Sequence, residues 1–490
     1  MVTSSMYVAN PCEEFKQYLP LWKRARVVTQ GELAVKNFDK YLDVTTFSNL
    51  LIPFSPSMSL NQYNFYKAEA EFPGFTCQFL STLVNSLLRK APSITLPEDA
   101  PEGAIEWLRD SFGQNGKSFA AFMMNAVREE ITTHNTWVFV DYPSVTEEDD
   151  VALKDYKPYP TLYPAEAVIN WSTEEQKNGD IIVTRLITTG FTNEADPEDE
   201  FHPIEVQTIW VHEIVNGFYQ VRVFKSIQEN DSFELVDTIQ NITVHGERLN
   251  KIPAWPMRGE VELSQPILTA FVDKEISIYN KISRRNHLLY GAATYTPIVK
   301  SDMNEDEFET IVSRGLGSWL LVGAEESIDV LKTPTEALSD MDRAIAAGIE
   351  EMAKLGIRIL TPEVSQSGVA LELRNASQIS QLGALNTQLS MSMRQVLAFM
   401  INWRYGTDYT PSDIGFTLSP DFNNRPKGET WMRLATEWYQ EGLIPRSAWL
   451  EMVKSNDILD TNYNDDKGQQ EINEDDAIDK VIKEENERKY

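Results

Sequence analysis

Two long helical patterns flanking a short α/β segment constrain this chain more than any other feature. In the first, Leu268, Phe271, Val272, Glu275, Tyr279, Ile282 and Leu289 recur on one side up to Gly291. Ser264 is suited to cap it, and Pro266 falls in the first turn, where its missing N–H costs nothing. A helix of about 25 residues spans about 37 Å, long for a small globular core. The second pattern, "TPTEALSDMDRAIAAGIEEMAKLGIRIL", has Thr335 as its cap and Leu338, Met341, Ile345, Ile349, Met352 and Ile359 as its apolar stripe. Between them "YTPIVK", "MNEDEFETIVSRG", "SWLLV" and "SIDVLK" read as strand, helix, strand and strand. A unit of about 40 residues buries too little to stand alone. The spacing therefore fits either a pair of rods holding a small knob away from a main body or one ordinary α+β domain with a hairpin excursion.

The flanking sequence supplies that body. Up to about Glu130 the chain reads helical, with "FTCQFLSTLVNSLLRKAP", "GAIEWLRDSFG" and "SFAAFMMNAVREEITTHN" as successive helices. From Trp137 to about Ile252 the period changes to that of strands: "TWVFVDYP", "TLYPAEAVINW", "DIIVTRLITTGF", "EVQTIWVHEIV" and "GFYQVRVFKSI". The charged run from Thr192 to Phe201 reads as a hairpin tip or loop. After the second rod comes a third and longest helix, to about Tyr405, with Leu382, Leu385, Leu389, Met393, Val396 and Met400 on one side. Gly383 is its expected weak point. A helical pair follows, and a polar, acidic end. The fold class is α+β.

Composition closes off several functions. The net charge is −30, from 74 acids against 44 bases, which opposes ordinary binding to phosphates. No apolar window is long enough to span a bilayer, and the first residues lack a signal-peptide pattern, so no membrane role is expected. Cys12 and Cys77 have no metal or disulfide spacing and are expected to be reduced thiols. Five scattered histidines show no paired spacing. "RGLGSWLL" lacks a third glycine, and no G-x-x-x-x-G-K-S/T, G-x-S-x-G, H-E-x-x-H or C-x-x-C occurs. No cofactor, metal or catalytic group is indicated, and the chain is not expected to be an enzyme.

The order of segments resembles that of tailed-bacteriophage portal proteins, the head-to-tail connectors, of the compact-core branch. The resemblance is carried by "YLPLWKRARVVTQGELAVKNFDKYL", "YKAEAEFPGFTCQFLSTLVNSLLRKAP", "WVFVDYP" with "YPAEAVINW", "YQVRVF", "SQPILTAFVDKEISIYNKISRRNHLLYGAATYTPIV" and "EGLIPRSAWLEMV". No single motif is diagnostic; their order along most of the chain carries the resemblance. The resemblance implies an N-terminal body and β-rich wing (1–263), a first stem helix (264–290), a clip (291–332) and a second stem helix (333–359). A tunnel loop (360–370), a long helix returning through the wing (371–424), a helical crown (425–463) and an acidic tail (464–490) complete it. It further implies a homo-oligomeric ring, usually of 12 copies, at one capsid vertex. Double-stranded DNA would pass through without sequence-specific binding, and the partners would be terminase, tail adaptor and major capsid protein. Its place would be the virion's portal vertex, after assembly in the host cytoplasm.

By this correspondence Thr361, Pro362, Glu363, Val364, Ser365, Gln366, Ser367 and Gly368 form the loop projecting into the channel, with Glu363 setting one acid per subunit around the bore. Its polar tip suits a mobile segment. Duplex DNA presents a phosphate about every 1.7 Å, and each cation met would bind it. An acidic wall lets it slide. Lys281, Arg284 and Arg285 in the first stem helix run against a uniformly acidic bore; they are expected to pair with acids of a neighbouring subunit, the alternative being a basic ring at one level of the channel. The alternatives are an acidic structural or scaffolding virion protein without a channel, and a hydrolase with unrecognised carboxylates.

Overall fold

The computed structural model describes residues 7–37, 50–113, 116–141, 157–177, 179, 181–195, 201–227, 232–240, 242–245, 247–293, 296–300, 327–331, 336–357, 368–418, 429–440, 445–446, 449–450 and 453. The chain divides into two units, Met1–Leu418 and Ser419–Tyr490. The first is a mixed α and β body with open sheets.

Its helical part contains α1 (Glu13–Gln30), α2 (Glu32–Lys36), α3 (Leu60–Glu69), α4 (Phe75–Leu87), α5 (Ala104–Asp110) and α6 (Phe119–Thr133). The short strand β1 (Ser93–Thr95) lies between α4 and α5. Ser59 and Gln62 form a reciprocal capping box at the start of α3. Arg26 of α1 forks between Glu129 of α6 and Glu166, which ties three segments distant in sequence.

The strands follow: β2 (Trp137–Asp141), β3 (Tyr159–Tyr163), β4 (Val168–Glu175), β5 (Ile181–Glu194), β6 (Ile204–Val215), β7 (Phe218–Ile227) and β8 (Ser232–Ile239). Three short ones complete the layer: β9 (Thr243–Val244), β10 (Glu247–Arg248) and β11 (Ala254–Pro256). β4 to β8 form an antiparallel meander in sequence order, and β11-β2-β3 form a second sheet. Asn216 and Gly217 both take positive φ, which suits the two-residue turn joining β6 to β7. The stretch expected as one strand, "TLYPAEAVINW", is two. β3 ends before Pro164, a 3₁₀ turn covers Ala165–Ala167, and β4 begins in the other sheet. Proline cannot donate to a ladder, so the chain leaves one sheet there. The expected tip at Thr192 starts later, because β5 pairs through Glu194 with Ile204.

One face of the meander, with Ile187, Ile209, Val211, Phe224 and Phe233, packs on Phe15 and Trp22 of α1. On the other face His212 is buried against the Phe139 ring, 4.8 Å away, with Nδ1 2.8 Å from the Tyr219 hydroxyl. Burial pulls the imidazole of His212 down to about 3. The unfolded chain then takes up a proton that the folded chain refuses. The stabilising contribution is complete above pH 6.5 and is lost as pH falls toward the folded value. At about 1.4 kcal/mol per pH unit, about 2 kcal/mol is gone by roughly pH 5. His212→Gln is expected to flatten the urea midpoint between about pH 7 and 5 by that amount. Equal slopes for the two proteins would contradict it.

The long elements are α7 (Thr269–Ala293), β12 (Thr296–Lys300), β13 (Ser327–Leu331), α8 (Glu336–Met352) and α9 (Gly368–Tyr405). A π-helical turn, Ala353–Ile357, continues α8. α7 starts at Thr269 rather than beside Ser264, because the Pro266 carbonyl is bonded by both the N–H and the hydroxyl of Thr269 in a separate turn. It also passes through Gly291 to Ala293. α9 is helical across Gly383, and Leu385, Leu389, Met393, Val396 and Met400 are all buried. The final strand of this unit, β14 (Gly415–Thr417), pairs with β1. In the second unit, α10 (Glu429–Gln440) carries Tyr439, whose ring stacks on Trp449 at 5.2 Å.

Candidate functional site: the helix pair and its strand pair

α7 and α8 run antiparallel, and the contacts step evenly along them. Lys274 bonds Glu351, Ile278 faces Gly348, and Arg285 bonds Asp342. In the insert, Thr296 lies opposite Leu331 and Lys300 opposite Ser327. The helix pair and the strand pair are thus both antiparallel, with the strands lying between the helices in the chain. The strands β12 and β13 match two of the elements expected in the clip. The remaining ones, 301–326, lie outside the described residues.

The helices approach closely at Gly348. A Cβ there would sit 3.0 Å from Ile278 Cγ1, tight enough to require the isoleucine to shift. Ile349, expected in the stripe, is instead 37% exposed, because the close approach is centred one residue earlier. Gly348→Leu is expected to destabilise the pair by about 2 kcal/mol through overpacking. An unchanged urea midpoint would show that the helices can separate freely.

The base of α7 is fixed by polar groups inside the body. Glu275, fully buried, accepts the N–H groups of Phe75 (2.6 Å) and Thr76 (2.8 Å), the first residues of α4. Gly74 provides no side-chain cap, so the cap comes from a residue about 200 positions away. Burial raises the Glu275 carboxyl above the usual carboxylate range, outweighing these hydrogen bonds. Asn280 donates to the Leu50 carbonyl and accepts from the Ile52 N–H, each at 2.8 Å. Further along, His287 lies between the rings of Phe54 (4.7 Å) and Tyr66 (5.2 Å). α8 has no such backing. Across residues 337–352 only Gly348 and Met352 are buried.

The three cations singled out in the first stem helix separate in role. Arg285 pairs within its own chain, with Asp342 of α8. Lys281 makes no ion pair among the described residues. Its charge adds to the lowering of the Glu351 carboxyl, which is caused mainly by the Lys274 hydrogen bond. Arg284 lies near Tyr66, and its Nε is buried without a partner among the described residues. Residues 361–367 of the expected loop lie outside the described residues, and Gly368 is the first residue of α9. Glu275 had been read only as a member of an apolar stripe. An acid on that stripe was the signal for its role.

Among the described residues no group of three or more His, Cys, Asp or Glu side chains could hold a metal ion, and no helix is long and apolar enough to cross a membrane. Cys12 and Cys77 are free.

A family model described as a domain of unknown function, DUF4055, matches residues 267–404, the span from α7 through α9. No curated protein matches the chain. Among solved structures, the chain is similar at 10% identity to a chain in the virion of a native gene transfer agent (GTA) particle, covering 75% of this chain and 85% of that one, TM-score 0.34. It is similar at 10% identity to a chain in the neck of the native particle computed with C12 symmetry, covering 79% and 90%, TM-score 0.31. A chain in the neck of the empty particle computed with C6 symmetry shares 11% identity, covering 80% and 94%, TM-score 0.36.

Proposed function

We propose that this chain is a structural, ring-forming virion protein. More specifically, it is the portal subunit of a tailed-phage head, through which double-stranded DNA is packaged and ejected. The observation that carries the reading is the antiparallel pair of helices α7 and α8, with the antiparallel strands β12 and β13 between them in the chain. Buried polar groups fix it to a helical and β-rich body at one end. This arrangement supports a reading as the stem and clip that the sequence resemblance implies. The exposed side of α8 leaves surface for neighbouring copies. Segment 361–368 would face the bore, the clip would dock terminase and then the tail adaptor, and the stem would meet the capsid opening. The chain has no catalytic role in this reading. Its net charge of −30 keeps a passing duplex from adhering.

The test is imaging of the purified full chain by negative stain. Closed rings with a central hole wide enough for a duplex are expected. Single compact particles with hydrolase activity, or irregular assemblies, would overturn the reading.

A further inference from the structure

The residues that join α6 to β2 meet the residues after β11 in a buried polar cluster. Glu130 lies in the last turn of α6, His134, Asn135 and Thr136 lead into β2, and Arg258 follows β11. Glu130 and Thr136 are fully buried, and Asn135 and Arg258 are 1% and 3% exposed.

Part of the cluster is satisfied directly. Arg258 Nη1 donates to the His134 carbonyl (2.8 Å) and to Asn135 Oδ1 (2.9 Å), and Nη2 donates to the Val261 carbonyl (2.5 Å). The Thr136 N–H donates to Glu130 Oε2 at 3.0 Å. Asn135 Oδ1 also accepts from the Trp137 indole at 3.2 Å. Guanidinium and indole nitrogens only donate, which fixes the amide orientation and leaves Nδ2 over.

The rest is not satisfied. Arg258 Nε, Asn135 Nδ2, Thr136 Oγ1 and Glu130 Oε1 are all buried without a hydrogen-bond partner among the described residues. His134 Nδ1 lies 3.0 Å from Glu130 Oε1 but is not aligned for a hydrogen bond. Arg258 and Glu130 form no direct ion pair, yet they feel each other. Burial lowers the Arg258 guanidinium, and the charge of Glu130 opposes that. Dry, unpaired groups of this kind are costly.

The chemistry of the four atoms selects what would satisfy them. An anion would meet the Glu130 carboxylate, and a cation would meet a guanidinium that stays charged. A small neutral molecule that both donates and accepts fits, and buried water does this with about three bonds. We propose that the cluster is a binding site for ordered water, which accepts from Arg258 Nε and Asn135 Nδ2 and donates to Glu130 Oε1 and Thr136 Oγ1. The water joins two separated buried charges into one bridged pair. Arg258 lies in the segment that leads into α7, so the bridge also ties the entry of that helix to the end of α6. The inference stands independently of the portal reading.

The first test is a density map of the full chain at a resolution that shows ordered water. Water within hydrogen-bonding distance of both Arg258 Nε and Glu130 Oε1 is expected. A direct contact between the two side chains, or no density between them, would overturn the inference. The second test is one of sign. Thr136→Val replaces the hydroxyl by a methyl of the same shape. Loss of a bond to water is expected to lower the folding equilibrium constant about fivefold, read as a lower urea midpoint. An unchanged or higher midpoint would mean that Oγ1 has no partner to lose, and overturns the site as drawn. Third, Glu130→Met is expected to lower the midpoint, and Arg258→Met in the same chain to restore part of it, because no unpaired charge then remains. Additive losses would show that the two charges are not bridged.

Discussion

Replacing Glu275 by alanine is expected to lower unfolding free energy by about 3 kcal/mol, the largest loss for any single side chain in the helix pair. The substitution leaves two N–H groups at the start of α4 facing a dry interior. Each unsatisfied buried group costs about 1–3 kcal/mol. Against this, the carboxylate is itself held in an unfavourable place, since burial raises its carboxyl, so its removal returns part of that cost. No local residue can take over. Gly74 has φ 71°, a region that favours glycine, so a β-region serine or threonine cap does not fit there. Glu275→Gln keeps one acceptor oxygen and is expected to lose about half as much. The readout is the urea midpoint at constant slope. A loss under about 1 kcal/mol for Glu275→Ala would mean that α4 does not depend on α7 for its cap.

That dependence explains which parts of the fold were legible in the sequence. The stripe of α9 was, because a long helix packed on one side displays its period, and each described stripe residue is buried. The strand layer was legible as a layer, since alternation depends on neighbours along the chain. Its division into two sheets at Pro164 was not read, although the proline was the sign. The seat of α8 on α7 falls on Gly348, and a hydrophobicity pattern passes over glycine because close backbone approach leaves no apolar side chain to count. The partners of Glu275, Asn280 and His212 come from distant segments or other strands, and no spacing rule joins such positions. Of the candidate site, the partners of the basic cluster were not legible from spacing. Arg285 meets Asp342 of its own chain, where a neighbour's acid had been expected.

The second large effect is functional. On the portal reading, replacing residues 295–330 by a short glycine-serine linker is expected to abolish binding of terminase and tail adaptor, and with it DNA packaging, while the body still folds. The register makes the replacement feasible. With Arg285 opposite Asp342, the antiparallel helices end at Ala293 and begin at Glu336 on the same side of that contact, so a short linker can join them. The folded body should not notice, because the fixation of the hairpin lies below that junction, at Glu275, Asn280 and His287. Closing the linker even shortens the loop between α7 and α8, which by chain entropy alone favours their pairing slightly. Thermal midpoint and ring formation are therefore expected to match those of the intact chain, while pull-down of terminase and DNA content of particles fall to background. Normal DNA content in the altered particles would remove the docking role from the insert. Loss of soluble protein would assign the insert to the core, because a projection held only at its base cannot be needed for the base to fold.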